Sequence, residues 1–272
     1  MNKVKKAVFP VAGFGSRFLP VTKAVPKELL PILDKPLIQY AVEEAIVAGI
    51  ETLIFVTRRN KRTIEDYFDV DSELDSFLRA NGKDEQADVV RNIIPSGIEC
   101  IFVYQAVQLG LGHAVLCAES VIGDDPFAVL LVDDFLTDYG PGVTADLVQA
   151  FSSSGKSQLS VMGVDGPDIS KYGVVVPNGS GSGIAGLVEK PDAKDAPSNL
   201  ASIGRYVLTP DIFETLRGLS AGSGGEIQLA DAINIHAQQG SVETLRLNGR
   251  RFDCGSVDEY VLAVIHEYNK RF

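Results

Sequence analysis

Four stretches of this chain are almost continuously apolar, the fourth wholly so, and they restrict its fold more than any other feature. They are 7–11 (AVFPV), Thr52–Thr57 (TLIFVT), 98–104 (IECIFVY) and 127–132 (FAVLLV). A strand with one wet face alternates apolar with polar residues, whereas a strand that is apolar throughout is covered on both faces. Helical stretches separate the four. One runs from Pro36, preorganised for a first turn, to Gly49; the others are 61–68 and 112–121. Strands alternating with helices predict a Rossmann-like α/β fold, with a mostly parallel central sheet flanked by helices. Ligands of such sheets lie beyond the carboxyl ends of the strands. The glycines that follow 7–11, Gln105 and Asp133 all fall at such ends.

The second half is mixed. Short strands are expected at 159–164, 172–177, Ile184–Glu189 and 202–209. Glycine and serine separate them, with a hairpin-type turn or loose loop at 178–183 (NGSGSG). Asp211 is a plausible cap for a short helix. A longer helix follows over 226–238, then a strand at 242–247 that leads into Phe-Asp-Cys-Gly at 252–255. Ser256 is read as the cap of an amphipathic terminal helix. Residues 69–92 are strongly charged, with Leu74, Phe77 and Leu78 at helical spacing, which suits a solvated flap or a partner-facing arm. No repeat, low-complexity run or linker divides the chain. It reads as one domain over 1–272, with halves of about 1–135 and 136–272.

The 272 residues are 45% hydrophobic and 22% charged, enough for a substantial core. A formal net charge of −11 argues against nucleic acid as a partner. An acidic protein that binds a polyphosphate has to gather positive charge in one place. The three cysteines, Cys100, Cys117 and Cys254, form no CxxC, so neither a zinc site nor a redox motif is indicated, and a reducing cytoplasm is expected. The basic, then apolar N-terminus imitates a secretory leader, but its apolar run is short and enters a glycine loop. No segment approaches the ~20 apolar residues that span a membrane.

Positive charge gathers in 9–31 (FPVAGFGSRFLPVTKAVPKELLP). Gly13 and Gly15 allow a tight turn and close approach of backbone N–H groups to a ligand. Arg17, Lys23 and Lys27 follow, a set that suits a polyphosphate. The dinucleotide fingerprint is broken by Phe18, which stands where a third small residue is needed, so Asp34 is no ribose acid. Gly155-Lys156-Ser157 echoes a P-loop, but Ala150 occupies the position of its first glycine.

GxGxR at 13–17 and PKELLP at 26–31 resemble the sugar-nucleotide pyrophosphorylases, a family of nucleotidyltransferases. Later stretches extend the resemblance along the whole chain: 105–114 (QAVQLGLGHA), 132–134 (VDD), 189–191 (EKP), 202–207 (SIGRYV), 225–232 (GEIQLADA) and 252–255. Within the family they point to the group that makes UDP-glucose and pyrophosphate from UTP and glucose 1-phosphate. The resemblance also implies a smaller β region on the sugar side, Mg²⁺, a homodimer or homotetramer, and a supply of UDP-glucose to polysaccharide synthesis. Neighbouring possibilities are a glucose-1-phosphate thymidylyltransferase and a non-catalytic relative that binds nucleotide sugars.

By the same resemblance Gly13, Gly15 and Ser16 present N–H groups to the triphosphate. Arg17 clamps its outer phosphates, and Lys27 lies near the α phosphate. Lys23 is as readily a solvated lysine as a ligand. The base is expected at Gln105, whose amide carries both a donor and an acceptor. Backbone groups of Ala12 and Gly13 join it, with Gly110 against the ring and Glu28 assisting. Glu189 is assigned to sugar hydroxyls and Lys190 to the sugar phosphate, with Gly173 and Gly204 leaving room for the hexose. Asp133 and Asp253, each following a strand, would hold the cation together with phosphate oxygens; Asp134 is the weaker candidate. His113 reads first as a structural hydrogen-bonder, and His236 and His266 as ordinary surface or interface residues.

Overall fold

The computed structural model describes residues 3–138, 140–179, 181–222 and 225–272. The leader-like N-terminus and the expected turn at 178–183 fall partly outside these, at 1–2 and at 180. The chain enters as β1 (Lys6–Pro10) and passes through three 3-10 turns (Ser16–Phe18, Val21–Lys23 and Lys27–Leu29). A small hairpin of β2 (Pro31–Ile32) and β3 (Lys35–Pro36) leads to α1 (Leu37–Val47). There follow β4 (Thr52–Thr57), α2 (Arg62–Phe68), α3 (Ser72–Ala80), α4 (Asp84–Arg91) and β5 (Glu99–Tyr104). Next come α5 (Leu111–Cys117), α6 (Glu119–Ile122) and β6 (Phe127–Leu130). The second half holds β7 (Asp134–Asp138), α7 (Val143–Ser154), β8 (Ser157–Gly163), β9 (Gly173–Pro177), β10 (Ile184–Glu189) and β11 (Leu200–Leu208). It closes with α8 (Ile212–Gly218), α9 (Leu229–Gln238), β12 (Val242–Arg246), β13 (Gly249–Asp253) and α10 (Val257–Arg271).

Nine strands make one sheet, ordered β10-β9-β11-β6-β1-β4-β5, with β8 pairing β11 and β12. The four apolar runs are its parallel part. β1 pairs β4 on one side and β6 on the other, and β4 pairs β5. Their apolarity follows from two cores, one on each face. Ala7, Phe9, Leu53, Phe55, Ala128 and Leu130 pack on one side with α1. Val8, Ile54, Val56, Phe127 and Val129 alternate with them and pack on the other side against α5, α8 and α9. The second half adds antiparallel strands: β11 runs against β6, β8 and β9, and β10 against β9.

Because β4 and β6 leave β1 in opposite directions, the carboxyl end of β1 is the switch point of the sheet, where a crevice opens. The glycine loop starts there. Several local expectations are corrected. The fourth run is strand only to Leu130, and β7 then peels away to pair with β13. α7 was not foreseen. Pro36 lies at the N-cap of α1 in extended conformation rather than in its first turn. Neither Asp211 nor Ser256 caps its helix through its side chain; Ser256 Oγ donates instead to the Asp253 carbonyl. His236 is buried, with Nε2 2.8 Å from the Thr215 hydroxyl.

Candidate active site

The glycine loop folds back on the segment that follows it. Gly15 has φ 67°, and a side chain there would stand 3.2 Å from Thr22 Cγ2 and 3.3 Å from Lys27 Cβ. Thr22 Oγ1 donates to the Gly15 carbonyl at 2.7 Å. Gly13, Ser16 and the exposed Lys23 line one flank of the loop together with Arg58 and Lys61. Arg17 reaches from it toward the Gly255 carbonyl, 3.5 Å away.

Beneath the loop lies a buried pair that the sequence did not reveal. Lys61 Nζ donates to the Val11 carbonyl at 2.7 Å and to both oxygens of Glu28 at 2.9 and 2.7 Å. Burial pulls the Lys61 ammonium below the ordinary lysine value, against the pull of Glu28. Glu28 is 1% exposed. Both its oxygens accept from Lys61, so the carboxylate supports the loop from below.

Gln105 follows β5 at the rim, with its backbone N–H on the Thr57 carbonyl. Its Nε2 lies 3.2 Å from the Gly110 carbonyl and 2.9 Å from His113 Nδ1. The carbonyl can only accept, so it orients the amide. The two N–H bonds then go to Gly110 and His113, and Oε1 remains as the available acceptor. His113 and the Gly110 carbonyl thus hold the Gln105 amide in place. Gln108 adds a bond from Nε2 to the Ala12 carbonyl. Gly110, at φ 92°, is pressed against 226–227: a side chain would meet Glu226 Cβ and the Ile227 carbonyl oxygen, each at 2.8 Å.

Asp133 lies in the turn between β6 and β7, three residues beyond the end of β6, and Asp253 is the last residue of β13. The register Asp253↔Asp134 brings them together. Around Gly255, the Asp253 and Asp133 oxygens stand 2.9 and 3.1 Å from where a Cβ would be, and Arg17 Nη1 at 3.5 Å. Lys27 Nζ meets Asp133 Oδ2 at 2.6 Å. Burial pushes the Asp133 carboxyl up, but Lys27 outweighs it and holds the group below its ordinary value. Burial likewise draws Lys27 down, and Asp133, Glu28 and Asp253 more than offset it, so the ammonium is raised. Asp134 turns away, accepting from the Gly204 N–H at 2.6 Å and from Arg251 Nε at 2.7 Å. Among the described residues no three of His, Cys, Asp and Glu group around a metal position. The hard oxygens of Asp133 and Asp253 suit Mg²⁺ only with ligands supplied by substrate.

One cavity of about 430 Å³ joins this pair to the sugar-side residues. Arg17, Asp133, Asp253, Gly110, Gly173, Glu189, Lys190 and Gly204 all line it. Lys190 has φ 45°, and its ammonium lies 3.3 Å from Glu189. Left-handed backbone at a non-glycine residue is a costly conformation that collects at functional sites. A side chain on Gly173 would crowd Glu189 Oε2 at 3.2 Å. Gly204 lines the cavity and is also tightly packed on its other side: a Cβ there would strike Leu131 Cβ at 2.5 Å and Asp134 Oδ2 at 2.6 Å. Tyr172 and Arg251, which is bonded to the Tyr172 hydroxyl at 2.9 Å, were missed. Their cue, cationic and aromatic residues near strand ends, is too common to single out.

A glycine loop at the switch point, facing paired carboxylates across a polar cavity, defines a nucleotide-handling α/β protein. The family model described as nucleotidyl transferase matches residues 6–269. The chain therefore belongs to the nucleotidyl transferase family. It is similar to UTP–glucose-1-phosphate uridylyltransferases of Pseudomonas aeruginosa, at 44% identity over 96% of this chain and 94% of the relative. The Escherichia coli K12 protein of that name is 44% identical over 99% of this chain and 92% of its own length. Among solved structures, an apo UDP-glucose pyrophosphorylase superposes with a TM-score of 0.93 at 45% identity, covering 99% of this chain and all of that one. A UDP-glucose pyrophosphorylase complexed with UDP-glucose gives 0.89 at 44% identity, covering 98% and 99%.

Proposed function

We propose that this chain is a UTP–glucose-1-phosphate uridylyltransferase. The observation that carries the reading is the convergence of Arg17, Lys27, Asp133, Asp253 and Lys190 around one crevice, in a chain 44% identical over nearly its whole length to enzymes of that name. The loop at Gly13, Gly15 and Ser16 presents backbone N–H groups to the triphosphate, and Arg17 and Lys27 offset its charge. Gln105 Oε1 accepts from the N3–H of uracil, and cytosine has no proton there. Ala12, Gly13 and Gly110 bound the same pocket. Glu189 receives sugar hydroxyls beside Gly173, and Lys190 holds the sugar phosphate.

A phosphate oxygen of glucose 1-phosphate attacks the α phosphorus of UTP. The new P–O bond forms as the bond to the bridging oxygen breaks, and pyrophosphate leaves with that electron pair. No protein nucleophile is required, so the chain contributes positioning and electrostatic stabilisation. Asp133 and Asp253 would hold Mg²⁺, whose charge offsets that building on the leaving pyrophosphate. Lys27, paired with Asp133, stands ready to exchange that partner for a phosphate oxygen.

We read the chain as one domain, and as a cytoplasmic homodimer or homotetramer feeding polysaccharide synthesis. Exposed Val257, Val261, Ile265 and Tyr268 on α10 supply a candidate contact. Among the described residues no helix is long and apolar enough to cross a membrane. The test is pyrophosphate release across UTP, dTTP and CTP, each with a panel of sugar 1-phosphates. UTP with glucose 1-phosphate should be turned over best. Preference for dTTP would make the chain a thymidylyltransferase, and no turnover with retained nucleotide-sugar binding would make it a regulatory relative.

A further inference from the structure

We infer that Arg205 and Glu44 together form a positioning clamp that sets the place of Asp133. Arg205 is 2% exposed, yet it lies behind the active site, on β11. Its Nη1 donates to the Leu131 carbonyl at 2.9 Å and its Nη2 to the Asp134 carbonyl at 3.1 Å. These carbonyls bracket the turn that carries Asp133. The planar fork therefore spans the turn from one side to the other, which a lysine could not do. Nη1 also meets the Gly204 carbonyl at 3.1 Å, and Nε and Nη2 meet the Glu44 carboxylate at 2.9–3.1 Å.

Glu44 is fixed in turn. Its Oε1 accepts from the Thr144 N–H at 3.1 Å and from the Thr144 hydroxyl at 2.6 Å, in the first turn of α7. The clamp thus ties α1, α7 and β11 to one short turn. The clamp acts beside other holds on the turn: the Asp134 N–H reaches the Leu131 carbonyl at 3.2 Å, the Leu131 N–H meets the Gly204 carbonyl and the Cys254 N–H meets the Asp133 carbonyl, each at 2.8 Å. A buried arginine with every donor occupied is a rigid support, and freeing either partner leaves a charge stranded in the interior. Outer-shell groups of this kind typically change metal affinity or activity by about 10–100-fold when altered.

The catalytic side of this inference rests on the proposed role of Asp133; the mechanical side does not. Glu44→Gln and Arg205→Lys should be compared with wild type and with Asp133→Asn, in the full chain. The clamp predicts that kcat falls about 10–100-fold while KM for both substrates stays within about threefold. It also predicts faster amide hydrogen exchange confined to 131–134, with the rest of β6 and β11 still protected. A merely structural role would lower the melting temperature and loosen the sheet generally without that localised signature. Val148→Ala measures this contribution, because it loosens the packing of α7 on the core without touching Arg205, Glu44 or Thr144, and its kcat should stay near wild type. If Arg205→Lys does not fold, the nearly isosteric Glu44→Gln decides alone. Unchanged exchange at 131–134 in Glu44→Gln would overturn the clamp, as would exchange that rises evenly across the sheet. Wild-type turnover in Asp133→Asn would instead remove the catalytic reading of Asp133 and leave the exchange result to judge the clamp.

Discussion

Lys27 and Asp133 hold each other in the charged state, and both shifts widen the range over which they do so. The lowered carboxyl contributes stability that is present above its unfolded value and lost as pH falls through the folded one. The raised ammonium contributes stability that is full below its unfolded value and lost as pH rises through the folded one. Between the ordinary values of 3.8 and 10.5 the pair is intact. Lys27→Met strands a partly buried carboxylate and should cost about 1–3 kcal/mol near neutral pH. That loss should shrink as acid neutralises Asp133, as thermal melts from pH 2 to 8 would reveal; a pH-independent loss would separate the two residues energetically. Lys190→Ala should weaken glucose 1-phosphate far more than UTP, by about 1.5–3 kcal/mol for a charge-assisted bond to phosphate. Equal losses in calorimetric titrations with the two substrates would assign Lys190 elsewhere. Gln105→Leu should erode the preference for UTP over CTP, because the acceptor facing N3–H disappears; unchanged selectivity would take Gln105 out of the base pocket. The chemical types of these residues could be read from the sequence. Their partners could not: that Glu28 is taken up by Lys61, 33 positions away, depends on how the loop folds over α2.

At the scale of elements, apolar continuity identified the parallel strands because burial on both faces leaves no other pattern. It misled where apolar residues serve packing alone. Leu131 and Val132 extend the fourth run, yet they belong to a turn: Leu131 packs against one core and Val132 lies in the other. Pairing of β6 with β11 ends at Arg205↔Leu130, and the Leu131 N–H then turns to the Gly204 carbonyl at 2.8 Å. Gly204 is where β11 and this turn come closest. Gly204→Ala should therefore destabilise by about 1–3 kcal/mol, as overpacking does. It should also cut kcat, because the new methyl pushes on Leu131 and on the Asp134 oxygen that accepts the Gly204 N–H. A melting temperature and kcat both at wild-type values would mean that the turn yields freely. Nothing local in Ser-Ile-Gly-Arg-Tyr-Val marks that glycine as a packing contact as well as part of the cavity lining.

Across the whole molecule, the two halves meet at a pair of carboxylates that lie 120 positions apart in the chain. Register joins them: β7 and β13 form a sheet of their own, and its pairing Asp134↔Asp253 carries Asp133 and Asp253 to the same rim. Arg251 lies beside both. Its Nη2 pairs with Asp134 and stands 3.9 Å from Asp253, which softens the repulsion between the acids without spanning them. Lys27 acts in the same way, bonded to Asp133 and reaching Asp253 through its charge. On the proposed mechanism a cation shared by the two would make their closeness productive. Asp133→Asn and Asp253→Asn should each cripple turnover while the protein stays folded. Since both would serve one ion, the second substitution should cost much less after the first, and the double variant should lose far less than the two single losses combined. Manganese binding to the enzyme with UTP, followed by electron paramagnetic resonance, gives a readout independent of turnover: each single variant should bind weakly, and the double little worse. Additive losses across a magnesium titration, or wild-type manganese affinity in either single variant, would show that the two carboxylates serve separate tasks.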